Sequence, residues 1–198
     1  RPPPALASLP TSPPTSLLDR LPAYAELHCR SNFSFLTGAS HPEELVARAA
    51  QLGYAAIAIT DECSVAGVVR AHEEARRQAE DGHSIKLLIG SVFDVQGEGA
   101  TPPCRLLLIA RHREGYGDLC ELITLARLRC AKGQYRLTVR DLDSGPLHLR
   151  GAPGCHALLI PRREDPPERL LAQARWLQAS FAGRAAIAVE LLLYADDS

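Results

Sequence analysis

The sequence predicts an α/β protein in which a parallel sheet is wrapped by helices, either as a barrel or as an open doubly wound sheet. Uniformly apolar runs at 54–60 and 105–110 have the character of buried strands. Helical patterns separate most of these runs, and that alternation is typical of parallel βαβ units. The sequence contains no GxGxxG after the first strand and no GxxxxGK[ST], which disfavours a dinucleotide-binding fold and a P-loop NTPase.

The predicted elements follow the order β-α-β-α-β-β-α-loop-β-α-β. Ser40 stands three residues before Glu43, which is the spacing of a capping box, with Pro42 in the first turn and Gly53 at the helix end. The predicted strands cover 24–28, 54–60, 86–95 with an interruption near Gly90, 105–110, 156–161 and 185–192. The predicted helices cover 40–53, 65–80, 116–128 and 167–181, and residues 132–142 are predicted to form a polar loop.

Composition excludes several classes of protein. The chain has 198 residues, a formal net charge of −1 and 46% hydrophobic residues, which is ordinary for a globular domain and too balanced to attract nucleic acid by bulk charge. Its apolar runs are too short to cross a bilayer, so we expect no membrane association. Residues 1–22 carry seven prolines and are predicted to be a disordered leader, which leaves 23–198 as the folded domain.

Cysteine usage and the ends of the chain indicate a cytoplasmic fragment. The six cysteines are widely and irregularly spaced, without a CxxC pair or a secretion signal, so free thiols are expected. The chain contains no Met, and its last predicted strand ends close to residue 198. We therefore expect a piece of a longer polypeptide, with a barrel that is incomplete at its C-terminus.

Polar residues follow two predicted strands where catalytic groups of a barrel are placed. His28 ends the first strand, and Asp61 and Glu62 directly follow the second. Two carboxylates beside an imidazole suit a metal site or a general base. The alternative is that Asp61 caps the next turn and His28 is a packed, hydrogen-bonded histidine.

No further catalytic constellation is visible. Spacing yields no Ser-His-Asp set and no Gly-Xaa-Ser-Xaa-Gly elbow, so no catalytic residue is assigned. A mildly basic run could touch a phosphate backbone or form a solvated loop, and it leaves the DNA-binding residues unassigned. This run consists of Arg127, Arg129, Lys132 and Arg136, with Tyr135 between them.

Several separated segments resemble the PHP (polymerase and histidinol phosphatase) domain that opens bacterial C-family DNA polymerases. They are YAELHCRSNFSFLTGASHPEELVARA at 24–49, LGYAAIAITDECSVAGVVRA at 52–71, LIGS at 88–91, RLLLIA at 105–110, GYGDLCELIT at 115–124 and KGQYRL at 132–137. The words LHCRSNFSF and ITDECS are most similar to the error-prone, damage-inducible members. The resemblance is specific over 24–142, and it implies a distorted (β/α) barrel of PHP type.

The resemblance also implies a degenerate metal site. The first histidine of the family's His-Xaa-His pair is present as His28, whereas four further ligand positions are replaced by Arg30, Glu62, Val92 and Arg105. Fixed guanidinium charges oppose a metal ion at short range, so no metal cofactor is expected for this domain. His28, Asp61 and Glu62 remain as weak metal candidates, and we expect Arg30 and Glu62 to form an ion pair.

By resemblance, the expected function is that of an N-terminal PHP-like domain of an error-prone DNA polymerase engaged in damage-induced mutagenesis and translesion synthesis. The parent enzyme would use Mg²⁺ held by carboxylates outside this chain, together with DNA and dNTPs. The expected partners are the rest of the polymerase, mutagenesis accessory proteins and the sliding clamp. Two alternatives remain: a free-standing PHP phosphoesterase or exonuclease with a reduced site, and a truncated gene product.

Overall fold

The computed structural model describes residues 23–190, so the predicted leader and the end of the predicted domain lie outside the described residues. The strands are β1 Ala25–Cys29, β2 Ala56–Ile59, β3 Lys86–Gln96, β4 Cys104–Ala110, β5 Leu137–Thr138, β6 Cys155–Ile160 and β7 Ala185–Ile187. The helices are α1 Pro42–Gln51, α2 Val68–Glu80, α3 Arg113–Leu128, α4 Val139–Ser144 and α5 Pro167–Ser180, with a 3-10 turn at Leu147–Leu149.

The strands form one curled sheet, a half-barrel with helices packed against it. Its order is β1-β2-β3-β4-β6-β7, and the short β5 pairs with β3. The predicted barrel-type α/β class is confirmed. The prediction of a parallel sheet is wrong at β4, because this strand runs antiparallel to both β3 and β6. Only residues 97–103 join β3 to β4, and a parallel connection needs a crossover of roughly a dozen residues or more.

The predicted interruption near Gly90 is instead a change of partner within one continuous strand. Lys86–Ile89 pair in parallel with β2, whereas Gly90–Val95 pair antiparallel with β4. A Cβ atom at Gly90 would lie 2.6 Å from the carbonyl oxygen of Leu108. Glycine is therefore required here by the close approach of β4, and the sheet bends without losing its hydrogen bonds.

Two faces of the sheet carry different cores. The helix-covered face holds large buried clusters around Phe93, Leu106 and Leu119 and around Val46 and Ile57. The opposite face holds a smaller apolar cluster. Residues alternate between the two faces along each strand, so neighbouring residues of one strand belong to different clusters. The smaller cluster consists of Ala58, Val92, Leu107, Ile109 and Ile160.

Some helices and loops begin or end at residues other than those predicted, because capping hydrogen bonds and buried side chains set their boundaries. The cap of α1 is His41, whose backbone N–H donates to the Glu44 carboxylate at 2.8 Å, one residue later than the predicted capping box. Residues 137–142 are not a loop, because Leu137 and Leu142 are fully buried and Thr138 caps α4.

The ends of two further elements also move. Helix α3 begins at Arg113, three residues before the predicted start. Strand β7 is shorter than the predicted 185–192, of which residues 191 and 192 lie outside the described part. Among residues 23–190 no helix has the length and apolar character needed to cross a membrane. All six cysteines are free thiols.

Candidate functional site

Asp61 is a buried carboxylate whose two oxygens are both occupied by serine donors. It follows β2 and is 1% exposed. Its Oδ1 accepts from the backbone N–H of Ser31 at 2.8 Å and from Ser34 Oγ at 2.7 Å, while Oδ2 accepts from Ser31 Oγ at 2.7 Å. The loop after β1 is thus fastened to the end of β2, and no other residue type could accept all three bonds as well as a carboxylate.

Glu62 faces away from Asp61 and toward Tyr135 and Arg105. The Tyr135 hydroxyl donates to its carboxylate at 2.9 Å, and the Arg105 guanidinium lies 4.0 Å away. The predicted ion pair between Arg30 and Glu62 is therefore wrong. Neighbouring strand ends bring residues to one edge of a sheet, but they do not fix the direction in which each side chain points. The cation near Glu62 is instead Arg105, which belongs to β4.

A row of charges crosses the edge of the sheet from β3 to the end of β6. Asp94 accepts a hydrogen bond of 2.8 Å from Arg162 and lies 3.6 Å from Arg105 Nη1. Arg105 is thus shared between Asp94 and Glu62, and its other terminal nitrogen, Nη2, is buried without a hydrogen-bond partner among the described residues. Arg105 stands where the family resemblance expects a histidine ligand, and it acts here as a structural cation.

His28, at the β1 end of the sheet, is contacted by a residue that follows β7, the strand at the other end of the sheet. Its Nδ1 contacts the carboxylate of Glu190, which follows β7. Burial lowers the pKa of His28, Arg30 and Arg105 lower it further, and the Glu190 carboxylate opposes them. Nδ1 contacts a carboxylate, whereas Nε2 is buried and has no partner within residues 23–190.

Arg30 and His28 line a cleft of about 560 Å³ at the open edge of the half-barrel, between the ends of β1, β6 and β7. Within the described part of the chain, Arg30 makes no hydrogen bond or ion pair. Arg105, Arg162 and Arg163 lie on the same cleft, together with Glu164 and Glu190. Asp61 and Glu62 do not line it, so the predicted site residues are divided between separate surroundings.

Val92 occupies an apolar position. Its side chain is 1% exposed and belongs to the smaller core cluster, beside Leu107 and Ile160. Its backbone N–H donates to the Asp61 carbonyl at 3.2 Å, and its carbonyl accepts from the Cys63 N–H at 2.9 Å. Val92 thus fixes the turn that carries Asp61 and Glu62, and it supplies no ligand atom.

The residues present do not fit the metal cluster that the family implies. Among residues 23–190 no group of three or more His, Cys, Asp or Glu side chains is placed to hold a metal ion. The Asp61 oxygens are engaged by three donors, and Arg30 and Arg105 add positive charge beside His28. A divalent ion would have to displace these donors and lie among cations, at a cost that no ligand set offsets.

Sequence reasoning missed the residues that complete these networks. Ser31 and Ser34 lie in the loop after β1, where two serines near a buried acid could have signalled hydrogen bonding. Tyr135 and Glu190 reach the site from segments 73 and 162 residues away, a distance that spacing does not reveal. Asp94 lies within the predicted strand 86–95 and Arg162 directly follows the predicted strand 156–161, and neither position carried a signal of a charge pair.

Two members of the basic run are used within the protein. Arg127 donates to the Cys63 carbonyl at 2.8 Å, and Arg129 pairs with Asp141 at 2.9 Å. Lys132 and Arg136 are exposed. Half of the run thus holds α3 against the turn after β2 and against α4, which weakens its interpretation as a contact to a phosphate backbone.

A curled α/β sheet with polar residues gathered after β1 and β2 defines a protein of the PHP type of β/α barrel. The chain belongs to the PHP domain family, whose family model matches residues 26–191.

Curated relatives carry a more specific name. The chain is 58% identical over 180 residues to an error-prone DNA polymerase of Bordetella parapertussis, covering 89% of this chain and 17% of that protein. It is 54% identical over 188 residues to an error-prone DNA polymerase of Ralstonia nicotianae, covering 93% of this chain and 17% of that protein. The chain thus spans about one-sixth of the length of these relatives.

Solved structures share the fold at low sequence identity. An amidohydrolase from Chromobacterium violaceum, described with bound sulfate and no metal, matches with a TM-score of 0.56 at 17% identity over 83% of this chain and 76% of its own. A candidate metal-dependent phosphoesterase from Bifidobacterium adolescentis matches with a TM-score of 0.54 at 16% identity over 89% of this chain and 78% of its own.

Proposed function

We propose that this chain is the PHP domain of an error-prone DNA polymerase, and that it serves as a metal-free structural platform within that enzyme. The observation that carries the proposal is Asp61, whose oxygens are engaged by Ser31 and Ser34 rather than left open toward a cleft. A carboxylate used in this way stabilises the loop after β1 and contributes no site for hydrolysis.

The polymerase reaction belongs to the rest of the parent chain in this proposal. Mg²⁺, DNA and dNTPs would be bound by carboxylates and surfaces outside residues 1–198, and the sliding clamp and mutagenesis accessory proteins would act through the whole enzyme. The names of the relatives support polymerase membership. We also propose that the parent enzyme carries out translesion synthesis after DNA damage. We propose that it is cytoplasmic, a location consistent with the six free thiols of this chain.

The proposal is tested in the full-length polymerase with three variants. His28→Ala changes the one matched ligand position, Asp61→Asn disrupts the serine network, and His72→Ala alters an exposed histidine on α2 as a control. We expect primer extension to survive His28→Ala and His72→Ala alike, and Asp61→Asn to lower thermal stability. The contrary result would be metal-dependent hydrolysis of p-nitrophenyl phosphate or of DNA 3′ ends that is abolished by His28→Ala. It would favour a phosphoesterase and refute the proposal that the domain is a metal-free structural platform.

A further inference from the structure

The loop between β1 and α1 carries two large apolar side chains that the described part of the chain leaves uncovered. Phe35 is 84% exposed and Leu36 is 91% exposed. A single exposed apolar residue is ordinary on a protein surface, so exposure alone assigns no role to either side chain. Together, however, the two neighbours form one projecting surface, which we call the apolar tip.

The loop that carries the apolar tip is fixed to the edge of the sheet. Ser31 and Ser34 donate from their hydroxyl groups to the buried carboxylate of Asp61. The backbone N–H of Asn32 donates to the carbonyl of Ser40 at 2.8 Å, which ties the two ends of the loop to each other. The loop therefore presents its apolar tip in a defined conformation.

The turn at the apolar tip holds Leu36 in a conformation that leucine rarely adopts. The carbonyl of Ser34 accepts from the backbone N–H groups of Thr37 at 3.0 Å and of Gly38 at 2.9 Å. Leu36 has a φ angle of 64°, in the left-handed region that is unfavourable for a residue with a bulky side chain. Glycine or asparagine would occupy this position with less strain and without an exposed apolar group. A leucine at this position indicates that its side chain is used.

The composition of the loop favours a protein surface as the partner of the apolar tip. Residues 31–40 contain no Asp, Glu, Lys or Arg. Nucleic acids and anionic membranes are bound largely through Lys and Arg, which this segment lacks. The centre of a protein–protein interface is instead depleted of charged residues and enriched in aromatic anchors. Phe35 and Leu36 match the second description.

We infer that Phe35 and Leu36 dock into an apolar pocket on the polymerase polypeptide outside residues 1–198. This inference rests on the proposed membership of an error-prone DNA polymerase. The chain covers only 17% of the relative from Bordetella parapertussis, so in that proposal most of the enzyme's surface belongs to the rest of the polypeptide. An apolar tip that is already fixed loses little conformational entropy on docking. The bonds to Asp61 then serve to hold the apolar tip in its docking conformation.

Photo-crosslinking within the full-length polymerase tests this contact. The photoreactive residue p-benzoylphenylalanine replaces Phe35, and in a control enzyme it replaces Leu128, which is 82% exposed at the end of the regular helix α3. The enzymes are irradiated at low concentration, and mass spectrometry locates the attachment sites. We expect position 35 to crosslink within the same molecule to a residue beyond 198, with a yield several-fold above that from position 128.

Three crosslinking results would overturn the inference. The first is the absence of any crosslink from position 35 to a residue beyond 198. The second is attachment of position 35 chiefly to another copy of the enzyme, which would make the apolar tip a contact between copies. The third is an equal yield from positions 35 and 128, because exposure alone would then explain the reaction.

A double variant, Phe35→Ser with Leu36→Asn, tests whether the docking stabilises the enzyme. Asparagine tolerates the left-handed conformation, so the variant removes the apolar side chains without adding strain to the turn. We expect the half-life of primer extension at a raised temperature to fall at least about fivefold in the full-length enzyme, because an interface anchor is lost. Leu128→Ser is the matched control and should keep the wild-type half-life. An unchanged half-life in the double variant would contradict the inference.

The same preparations distinguish a failure of this inference from a failure of the proposed function. Primer extension by the full-length enzyme, without a crosslink from position 35 to a residue beyond 198, would overturn the docking surface alone. A full-length protein that extends no primer would overturn the polymerase membership, and the inference would fall with it. Metal-dependent hydrolysis together with the expected crosslink would refute the metal-free platform and leave the docking surface supported.

Discussion

The Tyr135 hydroxyl donates a hydrogen bond of 2.9 Å to the carboxylate of Glu62. The same oxygen accepts from the backbone N–H of Asp94 at 2.8 Å, so Tyr135 joins the turn after β2 to strand β3. Burial raises the pKa of Tyr135 and keeps its hydroxyl protonated as a donor. The Glu62 carboxylate is thereby held toward Tyr135 and Arg105, on the side away from the His28 cleft.

Tyr135→Phe should destabilise the domain by about 1–2 kcal/mol. The variant removes one hydroxyl, leaves the Asp94 N–H without its acceptor and frees the Glu62 carboxylate, while the ring keeps its packing against Phe93. Urea denaturation measures the change in the free energy of unfolding. Tyr24→Phe, which removes only an exposed hydrogen bond to Glu26, is the control and should cost much less. Equal effects of the two variants would remove Tyr135 from the proposed network.

Asp61→Asn should cost about 2 kcal/mol or more in the free energy of unfolding. The amide directs N–H groups at donors from Ser31 or Ser34, so at least one buried hydrogen bond is lost. Asp81→Asn, at the exposed C-terminal end of α2, provides a matched control with little expected effect. A tolerated Asp61→Asn would show that the carboxylate is not required by the loop and would reopen its assignment as a ligand.

Double-mutant cycles distinguish the observed partner of Glu62 from the predicted one. Arg105→Gln with Glu62→Gln should give a small favourable coupling, below about 1 kcal/mol, because the pair is 4.0 Å apart and partly exposed. Arg30→Gln with Glu62→Gln should be additive within about 0.5 kcal/mol. Coupling that is larger through Arg30 than through Arg105 would contradict the arrangement found at this sheet edge.

Thiol alkylation should separate the cysteines into two groups. Burial raises the pKa of Cys29 and Cys63 to about 11 and those of Cys104 and Cys155 to about 12, so at pH 8 fewer than roughly one in a hundred of these groups is a thiolate. Iodoacetamide followed by mass spectrometry should modify the half-buried Cys120 and Cys130 first. Urea should equalise all six. Early modification of Cys104 in the native protein would show that the core opens locally.

The sequence was sufficient to predict those parts of the fold that depend on a local pattern of apolar and polar residues. Strands β2 and β4 follow from continuous apolar runs, because a strand buried on both faces has few polar residues. The direction of β4 was missed, although the short connection at 97–103 already required an antiparallel pair. Residues 137–142 were missed because their polar neighbours outnumber the buried Leu137 and Leu142.

The position of the candidate site could be predicted from the sequence, but the contacts between its side chains could not. His28 and Asp61 follow strands and were found by position, whereas Ser31, Tyr135 and Glu190 join them through tertiary contacts that spacing does not encode. The replaced ligand positions were visible only through the family resemblance. Which cation would face Glu62 depended on the alternation of side chains along β4, and that requires the register of the sheet.

The most direct test of the central claim, that this PHP site no longer holds a metal cluster, is metal content after equilibrium dialysis. The chain is dialysed separately against Zn²⁺ and Mn²⁺ and analysed by inductively coupled plasma mass spectrometry. A variant with Arg30→His, Glu62→His, Val92→Glu and Arg105→His, which restores the four replaced positions, serves as the comparison. We predict well below one equivalent of metal in the natural chain and a clear gain in the restored variant. Stoichiometric metal in the natural chain, lost on His28→Ala, would contradict the account.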